Sequence, residues 1–461
     1  MEQSITGCIR ISEYDYPFSY ENETEKITVY IGARAITVPD DMDVVIGQKY
    51  GMMTGGKILY KLSVPLSNDC MTFEDSKPKH VSLANQIRSV EYFIQDYQES
   101  SKYTQMRLQF PELDYFIPSI GRATVSDDQI VISRIKEELC TFDFKYHDTD
   151  VTISFVAKMD GRSGVKTTAE TISEVVLTFP ETGDLEYLRG LYELARCFFA
   201  FVCNRQNIGL RSAVLIGNYP TKKIQNNKIV DAVGYTMQKI FFSQKYLEPE
   251  EDRKQVAKTP NWGLFSEKLP ELFRLFSEET IESIATVNGN SIHHSTKYRN
   301  LIDLEQSLHI TATFEYYVRT LLPEMSSSST LAFINDLGVL LAEYIANCSG
   351  KKKQKAQKFK KSLSPQLALE SKIQKAYDGY STWKPLKPIL TEWFGDDISA
   401  LASAANSWRN ELAHEKREYQ PGVDVINAIR LVEHINYCIV LRQAGYNDEQ
   451  IKAIISDILI R

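Results

Sequence analysis

At 461 residues the chain is too long for a single hydrophobic core, which predicts two or three domains. Its apolar and charged fractions, 43% and 25%, are ordinary for a soluble globular protein. The net charge of −7 excludes a general electrostatic attraction to nucleic acid, so any RNA contact must come from a local basic patch.

The seven cysteines are scattered and none forms a C-x-x-C pair, so we expect no zinc site and no other metal or cofactor. An odd, dispersed set is typical of reduced, buried thiols in the cytosol. The N-terminus has no basic or apolar signal region, and the longest apolar run, Ala195–Cys203, is too short to cross a bilayer. We therefore expect a cytoplasmic protein without membrane contact.

The first region, 1–180, is predicted to be β-rich. β-Branched and aromatic residues alternate with polar ones in segments separated by turn-forming residues: Ile27–Ile31, Lys57–Val64, Met106–Phe110, Gln129–Ile135, Val151–Val156 and Glu174–Phe179. Val81–Tyr97 differs, because its apolar residues recur at near-helical spacing. The aromatic Gln109–Ser119 is either a ligand-facing loop or, as we prefer, an edge strand capped by prolines.

The next region, 181–290, continues the N-terminal part with mixed α/β patterns. Leu185–Cys203 has the apolar spacing of a core helix, and Leu264–Phe276 that of an amphipathic helix kinked at Pro270. The polar stretch Thr286–Ser295 is expected to hold the main domain boundary. His293 and His294 in this stretch are expected to lie in an interdomain loop rather than to bind a metal, because no further ligand has suitable spacing.

The last region, 295–461, is predicted to be all-helical. Helices are predicted at Leu301–Leu322, Thr330–Asn347, Gln366–Ala376, Trp383–Phe394, Ile398–Glu415, Val425–Arg442 and Asp448–Leu459. Asn447 and Gln450 resemble a capping pair for the last helix. The expected fold class is therefore α+β and multidomain, with a β-rich N-terminal region followed by an all-helical bundle.

A lysine run, Lys351–Lys361, interrupts the helical region. It is the one strongly basic segment of the chain, and it is either an RNA phosphate-binding patch or a solvated, mobile loop. On the first interpretation the RNA-binding residues are Lys351, Lys352, Lys353, Lys355 and Lys358.

The sequence Arg409-Asn410-Glu-Leu-Ala-His414 carries the groups needed to cleave RNA without a metal. Histidine exchanges protons near neutral pH, and arginine matches phosphate oxygens with a planar fork. Asn410 and His414 are four residues apart and share a helix face, where Asn410 can orient the imidazole or bind phosphate. The spacing alone also fits a purely structural role, in which His414 complements the helix dipole and Arg409 pairs with a surface glutamate.

The R-N-E-L-A-H segment lies between a first helix, Leu304–Leu321, and a final long helix, and this order resembles the HEPN superfamily. The closing stretch His434–Ile451 looks most like the ApeA-type branch, anti-phage proteins with a β-rich N-terminal region. The resemblance implies an all-helical HEPN domain at 295–461 with Arg409, Asn410 and His414 as catalytic positions. It also implies an acidic residue that holds the arginine, with Glu315 as the first candidate and Glu305 as the second. An ordinary helical pair between Glu315 and Arg319 is the alternative.

By resemblance, the chain is a metal-independent endoribonuclease of anti-phage defence. RNA, with tRNA a natural target, is the expected substrate, and the expected partners are a phage-derived trigger and a second copy, as a dimer or a dimer of dimers. The alternative is a non-catalytic nucleotide- or RNA-binding module joined to a ligand- or protein-binding sensor domain.

Overall fold

A computed structural model describes residues 5–11, 14–21, 26–30, 45–49, 55–60, 84–87, 90–94, 101–117, 123–126, 129–132, 136–162, 168–225, 228–242, 258–277, 291–295, 302–321, 328–362, 368–380, 382–413 and 421–460. By its internal contacts the chain divides into two compact units. The first comprises Met1–Phe199, Asn207–Trp262 and Ser277–Glu279, and the second Ala200–Gln206, Gly263–Phe276 and Thr280–Arg461. The fold class is α+β, with a β-rich N-terminal region and a helical C-terminal region, as predicted.

The described strands of the first unit form mainly one antiparallel sheet. They are β1 (Ile5–Ile11), β2 (Tyr14–Glu21), β3 (Lys26–Tyr30), β4 (Val45–Lys49), β5 (Gly55–Tyr60), β6 (Ala84–Ile87), β7 (Val90–Ile94), β8 (Lys102–Gln109), β9 (Ala123–Ser126), β10 (Gln129–Ile132), β11 (Lys136–Tyr146), β12 (Thr149–Arg162), β13 (Thr168–Thr182), β14 (Ser212–Gln225) and β15 (Lys228–Phe242). Thirteen of these follow the order β11-β12-β13-β8-β14-β15-β7-β5-β4-β1-β2-β3-β6, and β9 pairs with β10.

One face of this sheet packs on the helix α2 (Leu185–Cys203), whose bounds match the prediction. Alternate residues of β12, such as Ile153 and Phe155, are fully buried, as expected for a strand with one face in a core. In the same core the rings of Tyr192 on α2 and Phe242 on β15 stack with centroids 4.1 Å apart. Aromatic residues on both layers therefore hold this helix on the sheet.

Two predictions for the first unit are wrong. Val81–Tyr97 contains strands β6 and β7, because sheet pairing with β3, β5 and β15 overrides its near-helical spacing. Gln109–Ser119 is not an edge strand, since β8 ends at Gln109 and pairs on both sides with β13 and β14. A turn and the short helix α1 (Leu113–Phe116) follow β8, while Pro118 and Ser119 lie outside the described residues.

The described helices from 262 onward are α3 (Trp262–Phe265), α4 (Leu269–Ser277), α5 (Leu304–Leu321), α6 (Ser328–Asn347), α7 (Gly350–Ser362), α8 (Leu369–Asp378), α9 (Lys387–Phe394), α10 (Ser399–Ala413), α11 (Val423–Gln443) and α12 (Asp448–Ile455), and a π-helical turn, Ser456–Ile460, ends them. The single helix predicted over Leu264–Phe276 is divided, since α3 ends at Phe265 and α4 begins at Leu269, so Pro270 occupies the first turn of α4 instead of kinking a helix interior. The lysine run is helical, as α7, rather than a loop.

Helix α11 is the centre of the second unit and packs against α5, α8, α10 and α12. Its residues from Ala428 to Leu441 are buried on all sides except at Arg430, which explains why apolar residues occupy more than one face of the helix. The Asn436 side-chain amide donates to the Ile310 carbonyl oxygen at 3.0 Å, which fixes α5 to α11. The predicted capping box of α12, from Asn447 and Gln450, is present.

None of the described helices combines the length and the apolar character needed to cross a membrane. Cys197, Cys348 and Cys438 are free thiols. Burial raises the pKa of Cys438 on α11 far above its usual range, so this thiol stays protonated and unreactive.

Candidate active site

Helix α10 holds the Arg409 and Asn410 pair at its C-terminal end. Ala402, Ala405 and Trp408 are buried, and the small alanines let α10 lie close to the other helices of the bundle. Arg409 is half-buried and Asn410 is exposed. The helix therefore anchors itself through its apolar face and presents a guanidinium and an amide beside that face.

Helix α5 carries the carboxylate that meets this guanidinium. Ile310, Phe314 and Tyr317 on α5 are fully buried, so the helix is fixed along its length. Glu315 follows Phe314 and lies at the border of this buried face, with 25% of its side chain exposed. Its Oε2 accepts a hydrogen bond from Arg409 Nη2 at 3.0 Å.

A third residue, Lys372 of α8, completes the cluster. Its Nζ lies 3.4 Å from the other carboxylate oxygen of Glu315, and its side chain is only 8% exposed. The sequence reasoning missed this lysine. The signal was its position, since Lys372 lies between Leu369 and Ala376 on the apolar stripe of α8 and is one of the few charged residues in such a place.

The three side chains form one electrostatic unit with two cations and one anion. Glu315 bridges the cations with separate oxygens, which offsets their mutual repulsion. Among the described residues, Arg409 directs one guanidinium N–H at Glu315, and an arginine has five N–H donors in a fixed fork. With 38% of its side chain exposed, Arg409 can bind an anion while Glu315 holds its orientation.

Glu305, the second acidic candidate on α5, and Arg319, the alternative partner of Glu315, make other contacts. Glu305 lies 3.6 Å from His309 on the exposed side of the same helix. Arg319, the alternative partner of Glu315, lies over the ring of Tyr316 at 5.7 Å. Of the carboxylates described on α5, Glu315 is thus the one in contact with Arg409.

The structure describes less of the remaining predicted site residues. His414 lies outside the described residues, as α10 is described to Ala413. Lys351, Lys352, Lys353 and Lys355 are exposed on α7, and the side chain of Lys358 is outside the description. The structure brings together Arg409, Glu315 and the unpredicted Lys372, with Asn410 beside them in sequence.

His293 also has a defined place. It is buried, and its Nε2 lies 3.0 Å from Glu433 Oε1 on α11. No cluster of three histidine, cysteine or carboxylate side chains suited to a metal occurs in the part of the chain described. The pair therefore acts as a buried fixing point for the 291–295 segment in the second unit.

A family model described as Apea-like HEPN matches residues 308–450. No curated protein and no solved structure matches the chain. The matched range starts within α5, ends within α12, and includes Glu315, Lys372 and Arg409. It agrees with the resemblance read from the R-N-E-L-A-H segment and its helical surroundings. The helical C-terminal region of this chain is therefore an Apea-like HEPN domain.

Proposed function

We propose that the HEPN domain is a metal-independent endoribonuclease of anti-phage defence. The observation that carries the proposal is the Glu315 carboxylate, which orients a half-exposed Arg409 at 3.0 Å beside the exposed Asn410. The family assignment supports a nuclease-type enzyme at the level of the family. A guanidinium fixed on one side and open on the other suits transient binding of a charged phosphate.

The reaction we propose is transesterification by the 2′-hydroxyl of RNA. A base removes the 2′-OH proton, the 2′-oxygen bonds to phosphorus, and the bond to the 5′-oxygen breaks as an acid protonates that leaving group. The products are a 2′,3′-cyclic phosphate and a 5′-OH. Imidazole performs both proton transfers near neutral pH, which gives His414 its role. Arg409 stabilises the charge on the phosphorane, and Asn410 binds phosphate or orients the imidazole.

One R-N-E-L-A-H segment supplies a single histidine, whereas the two proton transfers use a base and an acid. We therefore propose a two-fold dimer that apposes two such segments, so that each copy contributes one His414. The lysines exposed on α7, Lys351 to Lys353 and Lys355, would bind RNA phosphates at a distance from the reacting bond.

The first unit is assigned the regulatory role in this proposal. An unrestrained ribonuclease in the cytoplasm is toxic to its own cell, so a sensor for a phage-derived trigger must restrain it. Host or phage RNA, with tRNA a natural target, is then cut only after infection.

The test is the cleavage rate of RNA in excess EDTA, with purified chain and with chain recovered from infected cells. Wild-type protein should cleave, and His414→Ala and Arg409→Ala should each lose at least about 100-fold. His309→Ala, at a half-buried histidine of α5 in the same domain, is the matched control and should cleave like wild type. Equal rates for wild type and His414→Ala would remove His414 from the mechanism. Failure of the wild type to cleave in either preparation would favour the non-catalytic RNA-binding module.

A further inference from the structure

Helix α6 presents large apolar side chains to solvent. Phe333, Leu340 and Tyr344 are 65%, 61% and 51% exposed. The helix that accompanies α6 is α7, which is rich in lysine. A helix with three such side chains open to water has an unfavourable hydration free energy unless another surface covers it.

Phe333, Leu340 and Tyr344 lie in one line along the helix together with half-buried Leu337, whereas Val339, which is 60% exposed, lies roughly 120–130° away at about 100° per residue. Phe333, Leu337, Leu340 and Tyr344 follow spacings of four, three and four residues, the spacing of a coiled-coil seam. Half-buried Leu341 and Ile345 lie roughly 90° around the helix from this line, at about 100° per residue. We call the four residues the α6 seam. Three of its residues are exposed, and half-buried Leu337 lies at the edge next to the partly covered side of α6.

The order of residues in the α6 seam is symmetric. Read in either direction it is aromatic, leucine, leucine, aromatic, about a midpoint between Gly338 and Val339. Two antiparallel copies related by a two-fold axis at that midpoint would place Phe333 opposite the other copy's Tyr344. Leu337 would then face the other copy's Leu340. A self-complementary pattern is what an isologous interface requires.

Charge argues against RNA or an anionic membrane at this surface. The charged residues of α6 are Asp336 and Glu343, both exposed and both acidic. Each lies roughly 60–80° from the seam at about 100° per residue, so acidic groups border it and repel phosphate. A protein surface that is itself apolar is the better match.

The exposed area of the α6 seam indicates how much of a stable interface it can form. Phe333 and Tyr344 each leave on the order of 100 Å² open, and the leucines bring the seam to roughly 350 Å² per copy. A standard stable interface buries about 800 Å² per partner. The seam is thus about half of a stable interface, which fits a contact that adds to a second one between the same two chains.

We propose that the α6 seam binds the α6 seam of a second copy of this chain, antiparallel, about the Gly338–Val339 midpoint. The inference deepens the proposed function, on which it rests for its purpose, because it names a surface by which two copies of the nuclease associate. The seam contact strengthens the dimer without contributing a group to the chemistry.

The first test is the mass of the full-length protein against concentration, by sedimentation. Wild type should dimerise, and Leu340→Glu and Phe333→Glu should raise the dissociation constant at least 10-fold. The matched controls are Ala342→Glu and Ala346→Glu, which add the same charge at exposed positions on the far side of α6 and should leave it unchanged. A monomeric wild type at tens of micromolar, or equal effects of seam and control substitutions, would overturn the proposal.

The second test is the direction of the pairing, in a Cys348→Ser background. Copies with Phe333→Cys and copies with Tyr344→Cys, carrying different tags, are mixed and treated with a short bismaleimide. The antiparallel seam predicts cross-links between the two kinds of copy, and links joining two Phe333→Cys copies would contradict it.

Measuring RNA cleavage by the seam variants separates the seam proposal from the proposed paired active site. Seam variants that are monomeric but fully active would refute the paired active site alone, and seam variants that keep the wild-type dissociation constant would refute the seam alone.

Discussion

Replacing Glu315 by glutamine should loosen helix α8 through Lys372. The change removes the negative charge that lies between two cations, while the side chain keeps nearly its size and one carbonyl oxygen. Lys372 Nζ, 3.4 Å from the carboxylate and almost fully buried, then faces Arg409 without an intervening anion. We expect the free energy of opening of α8 to fall.

The magnitude follows from the exposure of the two contacts. The Arg409 contact has 38% of the arginine side chain in water, so screening limits it to below about 1 kcal/mol. The Lys372 contact is 8% exposed on the lysine side, and hydrogen bonds of buried charged groups contribute about 1.5–3 kcal/mol. A distance of 3.4 Å is long for such a bond, which places the contact at the lower end. Glu315→Gln should therefore lower the free energy of opening of α8 by about 2 kcal/mol, and most of this loss comes from the Lys372 contact.

Amide hydrogen exchange of the peptide Leu369–Asp378 in the full-length chain measures this local opening directly. A loss of about 2 kcal/mol corresponds to roughly 30-fold faster exchange, since about 1.4 kcal/mol is tenfold. Arg409→Ala should accelerate the same peptide by less than about 5-fold, because its contact is screened.

The control is Glu305→Gln on α5, where the exposed carboxylate lies 3.6 Å from half-buried His309. It should change exchange of α8 by less than about 2-fold. The reasoning would be refuted if Glu315→Gln left the exchange of α8 at the wild-type rate. It would also fail if Arg409→Ala had the larger effect, since burial would then not decide which contact matters.

Three further predictions concern single contacts. Hydrogen bonds from the Ser399 hydroxyl and backbone N–H lower the pKa of Asp397 below 3.8, so its contribution to the free energy of unfolding is full above that pH and is lost as pH falls through the lowered pKa. Thermal unfolding of Asp397→Asn across acidic pH should therefore depend less on pH than that of wild type. Asn447→Ala removes the capping box of α12 and should cost about 1 kcal/mol in urea unfolding, whereas Asn447→Ser should cost a few tenths. Gly217→Ala places a Cβ against the backbone of β8 and should destabilise by about 3 kcal/mol or more. Its control, Gly338→Ala in open space on α6, should instead stabilise the helix by about 0.5–1 kcal/mol.

The sequence was informative where local patterns coincide with the fold. Helix α2 has the predicted bounds, and the capping box at Asn447 is present, because apolar periodicity and cap chemistry act within a few residues. The assignment to the HEPN family rests on the order of helices around Arg409, and the family match agrees.

The predictions that failed, and the site residue that was missed, concern segments whose partners lie far away in sequence. The predicted edge strand Gln109–Ser119 is a turn and α1 that follow β8, whose neighbours β13 and β14 lie 60 or more residues further along the chain, so no local pattern shows where β8 ends. The contact between Glu315 and Lys372 joins residues 57 positions apart, so the apolar surroundings of Lys372 on α8 hint at burial but do not identify its partner. Val81–Tyr97 shows the same limit, since its strands are set by pairing rather than by spacing.

The chemical identity of the RNA ends tests the central claim most directly. The account predicts that protein recovered from infected cells, in excess EDTA, cuts RNA to leave 5′-OH and 2′,3′-cyclic phosphate ends. A single 2′-deoxy substitution at the cut nucleotide should abolish that cut, because the attacking oxygen is then missing. Cleavage that leaves 5′-phosphate ends, or that proceeds at the deoxy position, would contradict an internal attack promoted by Arg409 and His414.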